Sequence, residues 1–514
     1  MPLKSHWIET THLPRFPALN RPFKVDVVVI GGGITGITAA YLLKKAGRSV
    51  ALLERDRCAQ VDTGHTTAHL TQVTDTRLSQ LVKTFGRDHA QAAWDAGRAA
   101  MDLIRHHVCD LEIDCGYSTV PGYLHARWIQ PLDDEAKQLQ EEAELATELG
   151  FDAHFVDSIP FVKLPGVRFA NQAKFHPLKY LAALLRLIDG DGSHVFENTE
   201  VKEFRKEPLS VLANGQTVQC DYVVIATHVP LTGLTGFLNA SFFQTKLAAY
   251  SSYAVGAKVP AGSIQEAIYS DTSNRYYYLR SDRLPDHDYV ILGGEDHKTG
   301  QEADADARLR RLEMMLAAIV PGAQIDAAWT GQVIETHDGL PFIGETAERQ
   351  FAATGFAGNG MTFGTLAAIM ATDAALGRKN PWQDLFDVNR KKLSAVWDYV
   401  KENADYPYYY VKDKLAASQG TSLAELKPGA GKILKLDGKR VAAYRDAKGK
   451  VTTLSPVCTH LGCNIHWNDA DSTWDCPCHG SRFQATGEVL AGPAETPLEV
   501  ITLGKEKVTA KAGK

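Results

Sequence analysis

The first apolar block in the chain spans residues 25–30 and is broken only by Asp26, the continuous pattern of a strand buried on both faces. Gly31-Gly32-Gly33-Ile34-Thr35-Gly36 follows, and from Ile37 to Leu43 the apolar and small residues recur with helical spacing. A second apolar run, residues 49–53, ends on Glu54. Strand, glycine turn, helix, strand and acid in this order predict one βαβ unit. Further helices are predicted over 85–108 and 133–149, the second strongly charged along one face. Another starts in the string Phe175-His176-Pro177-Leu178-Lys179-Tyr180. Strand signals recur at 222–227, 275–280 and 289–294, and 431–445 reads as hairpins. Pro407-Tyr408-Tyr409-Tyr410 and the polar run to Ser422 read as a linker, and no internal repeat or low-complexity tract is present.

A chain of 514 residues should hold two or three domains, and its 44% apolar and 23% charged residues place it among ordinary soluble globular proteins. A net charge of −6 with no basic stripe argues against nucleic acid as a partner. No stretch approaches the roughly 18 uncharged apolar residues of a membrane helix, so no membrane span is expected. The N-terminus lacks a signal-peptide pattern, and its Pro2, Pro14, Pro17, Pro22, Trp7, Phe16 and Phe23 suggest an arm packed on the surface. Cys58, Cys109, Cys115 and Cys220 are scattered without ligand spacing and read as reduced packing residues, which points to the cytoplasm.

The densest chemistry lies near the C-terminus, in Cys458-Thr459-His460-Leu461-Gly462-Cys463 and Cys476-Pro477-Cys478-His479-Gly480-Ser481. A Cys-x-His and a Cys-x-x-His pair offer two thiolates and two imidazoles, a set that suits a two-iron cluster with Cys on one iron and His on the other. Structural zinc also takes two Cys and two His, but zinc fingers keep their histidines three to five residues apart, whereas here each His is interleaved with a Cys. The segment resembles a Rieske [2Fe-2S] domain of the cytochrome-complex or arsenite-oxidase type. That resemblance implies Cys458, His460, Cys476 and His479 as cluster ligands and a disulfide between Cys463 and Cys478. It also implies that Ser481 hydrogen-bonds a bridging sulfide and that the Gly492-Pro493-Ala494 loop covers the cluster. High-potential members carry a tyrosine where this chain has Phe483, so a lower potential is expected.

The glycine turn at the other end lets backbone approach a pyrophosphate at a helix N-terminus, and Glu54 suits a ribose hydroxyl. It does not choose between FAD and NAD. Three later stretches resemble the D-amino-acid oxidase superfamily: the loop from Asp62 to Thr71; Glu200-Val201 with the strand that follows at 222–227; and Thr336-His337-Asp338-Gly339-Leu340-Pro341-Phe342-Ile343-Gly344 before Thr354-Gly355-Phe356-Ala357-Gly358-Asn359-Gly360-Met361-Thr362. The resemblance implies FAD, held by Gly31, Gly33, Gly36 and Glu54, by Thr66, Thr67 and His69 in the loop beside the flavin, by Val201 at the adenine, and by Gly358, Asn359, Gly360, Met361 and Thr362 at a helix N-terminus facing the pyrimidine. A histidine near His65 or His69 carries covalent FAD in some members, but the neighbouring residues do not match here, so non-covalent FAD is expected.

Taken whole, the chain resembles bacterial FAD oxidoreductases of the D-amino-acid oxidase, glycine oxidase and γ-glutamylputrescine oxidase type with a Rieske domain fused at the C-terminus. The implied architecture is an N-terminal arm (1–23), an FAD-dependent oxidoreductase (24–405), a linker (406–422) and a small all-β Rieske domain (423–514). Within the oxidoreductase, a Rossmann-like α/β FAD-binding domain takes about 24–85, 175–233 and 328–380. A mixed α+β substrate domain takes about 86–174 and 234–327. The implied chemistry is oxidation of a carbon–nitrogen bond of a small-molecule amine or amino acid by hydride transfer to the flavin. Single electrons then pass to the cluster and on to an external acceptor (a ferredoxin, cytochrome or quinone), as in a dehydrogenase rather than an oxidase. The arginine that anchors a substrate carboxylate in the superfamily falls here at Val333. Either the substrate lacks that carboxylate or another residue replaces the anchor, with Arg280, flanked by Tyr276 and Tyr278, as the candidate; a strand-end salt bridge accounts for Arg280 equally well. Two other classes stand beside this one: an oxygenase, which would need a two-His, one-carboxylate iron set not found here, and a redox sensor without turnover.

Overall fold

The computed structural model describes residues 4–229, 246–273, 276–302, 304–390 and 418–503. The expected linker at 407–410 and the start of the expected strand at Arg275 lie outside them. The chain divides into two units, Met1–Asp296 with Ala307–Val400, and His297–Asp306 with Lys401–Lys514.

The larger unit is built on a six-stranded sheet in the order Phe342–Ala347, Gln350–Thr354, Tyr222–Ile225, Val27–Ile30, Val50–Leu53, His194–Phe196. Every pairing is parallel except that of Phe342–Ala347 with Gln350–Thr354. Alternating residues explain the unbroken apolar runs. Val27, Val29, Val50 and Leu52 join the core beneath the helices, while Val28, Ile30, Ala51 and Leu53 join a second core with Leu209, Val211 and Val218. Those last three belong to a four-stranded sheet that covers the other face. Asp26 is tolerated at the strand's start because its carboxylate accepts from Ser49 N (2.7 Å) and Ser49 Oγ (2.9 Å).

The helix after the glycine turn runs Ile34–Lys45, with Lys44 and Lys45 in its last turn, where cations suit the helix dipole. The helix expected from residue 85 begins at Arg87 and runs to Asp110, because Gly86 (φ +85°) stops a separate preceding helix, Leu78–Phe85. Glu135–Glu148, Pro177–Ile188 and Gly360–Ala375 follow the remaining helix expectations closely.

A nine-stranded sheet forms the second layer, led by the antiparallel pair Leu247–Val259 and Gln324–Thr336. The latter strand therefore runs in this sheet, although residues from 328 were expected among the FAD-binding parts. The strand expected from residue 275 starts at Tyr278, since Tyr276 adopts a left-handed turn conformation (φ +47°).

The smaller unit is all-β where it is regular. Gly431–Leu436, Lys439–Arg445 and Val451–Leu454 form one sheet, and His466–Asn468, Thr473–Asp475, Arg482–Gln484 and Val489–Ala491 form another. No helix among the described residues is long and apolar enough to cross a membrane.

Candidate functional site

The glycine turn is shaped by close approach. A Cβ on Gly31 (φ +103°) would lie 2.3 Å from Ala226 O, and one on Gly36 would lie 1.9 Å from Gly31 O. Only glycine lets the turn press on the neighbouring strand and the helix press on the turn. Gly33 caps the helix without a side chain of its own, and Thr63 Oγ1 accepts from Ile34 N at 3.1 Å. Glu54 binds the turn itself: its Oε2 accepts from Gly32 N (2.6 Å) and its Oε1 from Asp56 N (2.8 Å). Burial pushes the Glu54 carboxyl up, against the pull of those two N–H groups. Thr199 N donates to Glu54 O (2.8 Å), which brings the segment ending at Val201 beside the acid. A helix N-terminus capped only by the neighbouring Thr63 and a turn with no room for side chains fit a dinucleotide pyrophosphate.

The loop after the acid is held on both sides. Trp7 Nε1 donates to Thr66 O (2.6 Å), Trp329 Nε1 donates to His65 O (2.8 Å), and Thr362 Oγ1 donates to Thr71 O (2.9 Å). Thr66 Oγ1 accepts from Ala68 N (3.0 Å), and Thr67 O faces Arg280. At the helix Gly360–Ala375, Gly358 (φ +78°) leaves no space for a Cβ, which would lie 2.1 Å from Asp75 Oδ2. Asn359 caps the helix. With its amide oriented to satisfy both ends, it donates to Val73 O (3.2 Å) and accepts from Asp75 N (3.3 Å). A Cβ on Gly360 would meet nothing within 4 Å, so this N-terminus opens on free space while Met361 and Thr362 are buried behind it. An open N-terminus framed by a fixed loop suits the electron-rich end of a flavin.

Opposite lies the large sheet. Tyr278 OH and Ser252 Oγ are 2.9 Å apart, Tyr276 OH donates to Asp75 Oδ1 (2.9 Å), and the His69 ring stands edge-on to Tyr278 at 5.6 Å. Asp75 is exposed, yet the space it opens on is enclosed enough that desolvation lifts its carboxyl to about 6. Desolvation likewise lifts Asp296 to about 7 and lowers His69 to about 3, leaving that imidazole neutral. Arg280 is turned elsewhere. It pairs with Asp282, donates to Thr67 O, Ala68 O and Phe175 O, and lies over the Trp7 ring at 5.1 Å. These are the contacts that the salt-bridge alternative describes. Val333 faces Tyr250 across the strand pair. Sequence reasoning missed Asp75 and Asp296, which stand in no motif; only the fold brings them to the same space.

In the smaller unit the two Cys/His boxes fold into matching turns. Gly462 N donates to Cys458 O (3.1 Å) and Gly480 N to Cys476 O (3.0 Å), while Cys458 N bonds Cys463 O (2.8 Å) and Cys476 N bonds Ser481 O (2.8 Å). Cys463 and Cys478 are disulfide-bonded. The sulfurs of Cys463, Cys476 and Cys478 lie within 4.8 Å of one another, but the disulfide takes two of them, so they form no metal set by themselves. The Cys476 thiol beside Cys458 holds the latter down to about 7, and the same contact pushes Cys476 up. The His460 and His479 rings are 4.9 Å apart, and desolvation lowers each to about 4. Neutral imidazoles are what iron ligation requires. Ser481 Oγ accepts from Ala494 N (3.0 Å) and Thr459 Oγ1 donates to Thr496 O (2.6 Å), which ties the 494–496 segment to both turns. Asp475 accepts from Arg482 Nε (3.2 Å), Thr473 Oγ1 (2.8 Å) and Asn468 Nδ2 (2.9 Å), fixing the strand that delivers Cys476. Within the same unit, Gln301 Nε2 donates to Pro477 O (3.0 Å).

Two families match this chain: FAD dependent oxidoreductase over residues 26–374, and the Rieske [2Fe-2S] domain over residues 421–502. The chain belongs to the FAD dependent oxidoreductase family and carries a C-terminal Rieske domain. It is therefore an oxidoreductase that uses FAD and a [2Fe-2S] cluster. It is similar to a protein of Bacillus subtilis (strain 168) described as a Rieske 2Fe-2S iron-sulfur protein, YhfW, at 33% identity over 509 residues, covering 97% of this chain and 98% of that one. The gamma-glutamylputrescine oxidoreductase of Escherichia coli (strain K12) is 23% identical over 377 residues, covering 70% and 86%. The crystal structure of glycine oxidase from Geobacillus kaustophilus shares the fold with a TM-score of 0.60 at 19% identity, over 72% of this chain and 99% of that one.

Proposed function

We propose that this protein is a dehydrogenase that oxidises a carbon–nitrogen bond of an amine, N-methyl compound or amino acid, then passes the electrons one at a time to its own cluster and on to an external ferredoxin, cytochrome or quinone. FAD, when bound, supplies the hydride acceptor, and the cluster supplies the one-electron carrier. The chain's own residues position and desolvate. The turn at Gly31, Gly33 and Gly36 holds the pyrophosphate; Glu54 fixes that turn. Asn359 to Thr362 present the helix N-terminus to the flavin. Tyr276, Tyr278 and Ser252 line the side where substrate lies. Neutral His69 packs against Tyr278 and adds no charge. Cys458, His460, Cys476 and His479 hold the cluster. Free thiols at Cys58, Cys115 and Cys220, all buried, suit a cytoplasmic protein; Cys109, also expected as a packing residue, is instead free and exposed.

The observation that carries this reading is the presence in one chain of a two-electron flavin fold and a one-electron cluster domain. The test is anaerobic mixing of the loaded protein with a panel of amines and amino acids. The expected result is bleaching of the flavin followed by the electron paramagnetic resonance signal of the reduced cluster. No bleaching by any member overturns the enzyme; bleaching with a cluster that stays oxidised overturns the relay.

A further inference from the structure

Consecutive residues Glu295 and Asp296 lie in the strand Asp288–Lys298, where the larger unit ends, and Glu295 takes a left-handed backbone (φ +62°). Their surroundings differ sharply. Glu295 accepts from Tyr277 OH (2.6 Å) and Arg311 Nε (2.9 Å) and pairs with Arg308 at 3.4 Å. Asp296 interacts with Ser252, and its Oδ1 is closed off from solvent with no hydrogen bond. The Ser252 hydroxyl is shared with Tyr278. Across the same space Asp75 takes one hydroxyl, that of Tyr276, and among the described residues no cation contributes to holding it ionised. The Asp75 charge raises the proton affinity of Asp296, so the two face a common space. A desolvated carboxylate with an unsatisfied oxygen is costly unless a cation completes it. Asp296 with that unsatisfied oxygen and the more exposed Asp75, facing one space beside two tyrosine rings 5.7 Å apart whose faces attract cations, make a receptor for positive charge.

We propose that the cleft formed by Asp75, Asp296, Tyr276, Tyr278 and Ser252 binds an alkylammonium substrate, with its cationic nitrogen between the two carboxylates and no carboxylate on the reacting carbon. This rests on the reading above that the oxidised amine lies in this cleft. A carboxylate-bearing substrate would meet two acids, while Arg280 on this sheet is committed to Asp282 and three carbonyls and Arg308, whose charge reaches Asp296, is paired with Glu295. Neutral His69 offers such a carboxylate no charge.

The test uses the FAD-loaded protein and two unreactive probes, tetramethylammonium and acetate, with the visible flavin spectrum as readout. Tetramethylammonium should perturb the spectrum, bind at least tenfold more weakly to Asp75→Asn and Asp296→Asn, and recover in Asp296→Glu; acetate should do nothing. The proposal is overturned if acetate binds as well as the cation, if the cation has no effect on the parent protein, or if both Asn variants bind it unchanged. Loss of FAD from either Asn variant would assign that carboxylate to the cofactor and also overturn it. Its failure is separable from that of the proposed function. Flavin reduction by carboxylate-bearing amino acids alone would leave the dehydrogenase standing and remove this inference, and an inert amine panel would remove the dehydrogenase while the probe titrations still decide the cleft.

Discussion

Arg280 and Asp282 lie two residues apart on one strand and pair side by side, Nε to Oδ2 at 3.0 Å and Nη2 to Oδ1 at 2.6 Å. Lys174 Nζ joins from the next strand system, 2.6 Å from the same Oδ1. Burial pushes the Asp282 carboxyl up, but the two cations outweigh it and hold it at about 2. Arg280→Met should therefore cost about 3 kcal/mol of stability, the scale for breaking a buried ion pair, read as a lowered thermal midpoint. Because the folded carboxyl lies below its ordinary value, its contribution is present above about pH 4 and fades as pH falls towards 2; Asp282→Asn should flatten the stability profile in that window.

Glu54 is bonded to the glycine turn through Gly32 N at 2.6 Å, so it orders the turn before any ligand arrives. Glu54→Gln should weaken FAD binding roughly tenfold or more, the loss of a charge-assisted hydrogen bond of about 1.5–3 kcal/mol. Titrating apoprotein with FAD and following the quenching of flavin fluorescence measures it.

Phe483 is fully buried in the core that holds Cys458 and Cys476. If Phe483→Tyr adds one hydrogen bond to the cluster environment, about 1 kcal/mol of extra stabilisation of the reduced state corresponds to roughly 40 mV upward for a one-electron couple. Ser481→Ala should shift the potential the other way. Protein-film voltammetry reads both.

The Cys463–Cys478 bridge closes a loop with a sequence separation of 15. Chain entropy gives such a loop about 3 kcal/mol. Cys463→Ala should lower the melting temperature of the Rieske unit and its iron content, measured on the full chain by calorimetry and metal analysis.

The cleft carboxylates should also make cation binding depend on pH. Asp75 and Asp296 are held protonated to about 6 and 7, mainly by desolvation; Tyr276 and Ser252 oppose this, and Arg308 and Glu295 act on Asp296 with opposite signs. Ammonium needs the ionised form, so tetramethylammonium affinity should rise from pH 5 to 8 and then level off. The probe has no proton to lose, so the change reports the protein alone. A flat profile would contradict it.

Local signals exposed both ends of this chain. Val27–Ile30, the glycine turn and Glu54 are neighbours in sequence, as are Cys458 with His460 and Cys476 with His479, and short-range chemistry is what a sequence displays directly. The middle was legible only in outline. Arg280 reads as an anchor or as a salt bridge until its partners on Phe175, Thr67 and Ala68 are seen, and those come from segments far along the chain. The Asp75 charge reaches Asp296 only because the fold brings the loop after Thr71 and the strand Asp288–Lys298 to one space. Tyr276 carries strand chemistry but takes a left-handed turn, a case where tertiary context overrode propensity.

The central strand Tyr222–Ile225 sits between Val27–Ile30 and Gln350–Thr354, so its two neighbours are drawn from opposite reaches of the polypeptide. A nascent chain leaving the ribosome therefore holds the glycine turn long before the last strand exists to complete the platform beneath it. Closing such distant partners carries a large loop-entropy cost and leaves strand edges bare in the meantime. Flavin supplied during synthesis would find its phosphate cradle first and its ring site last, so cofactor capture and completion of the fold become one late event.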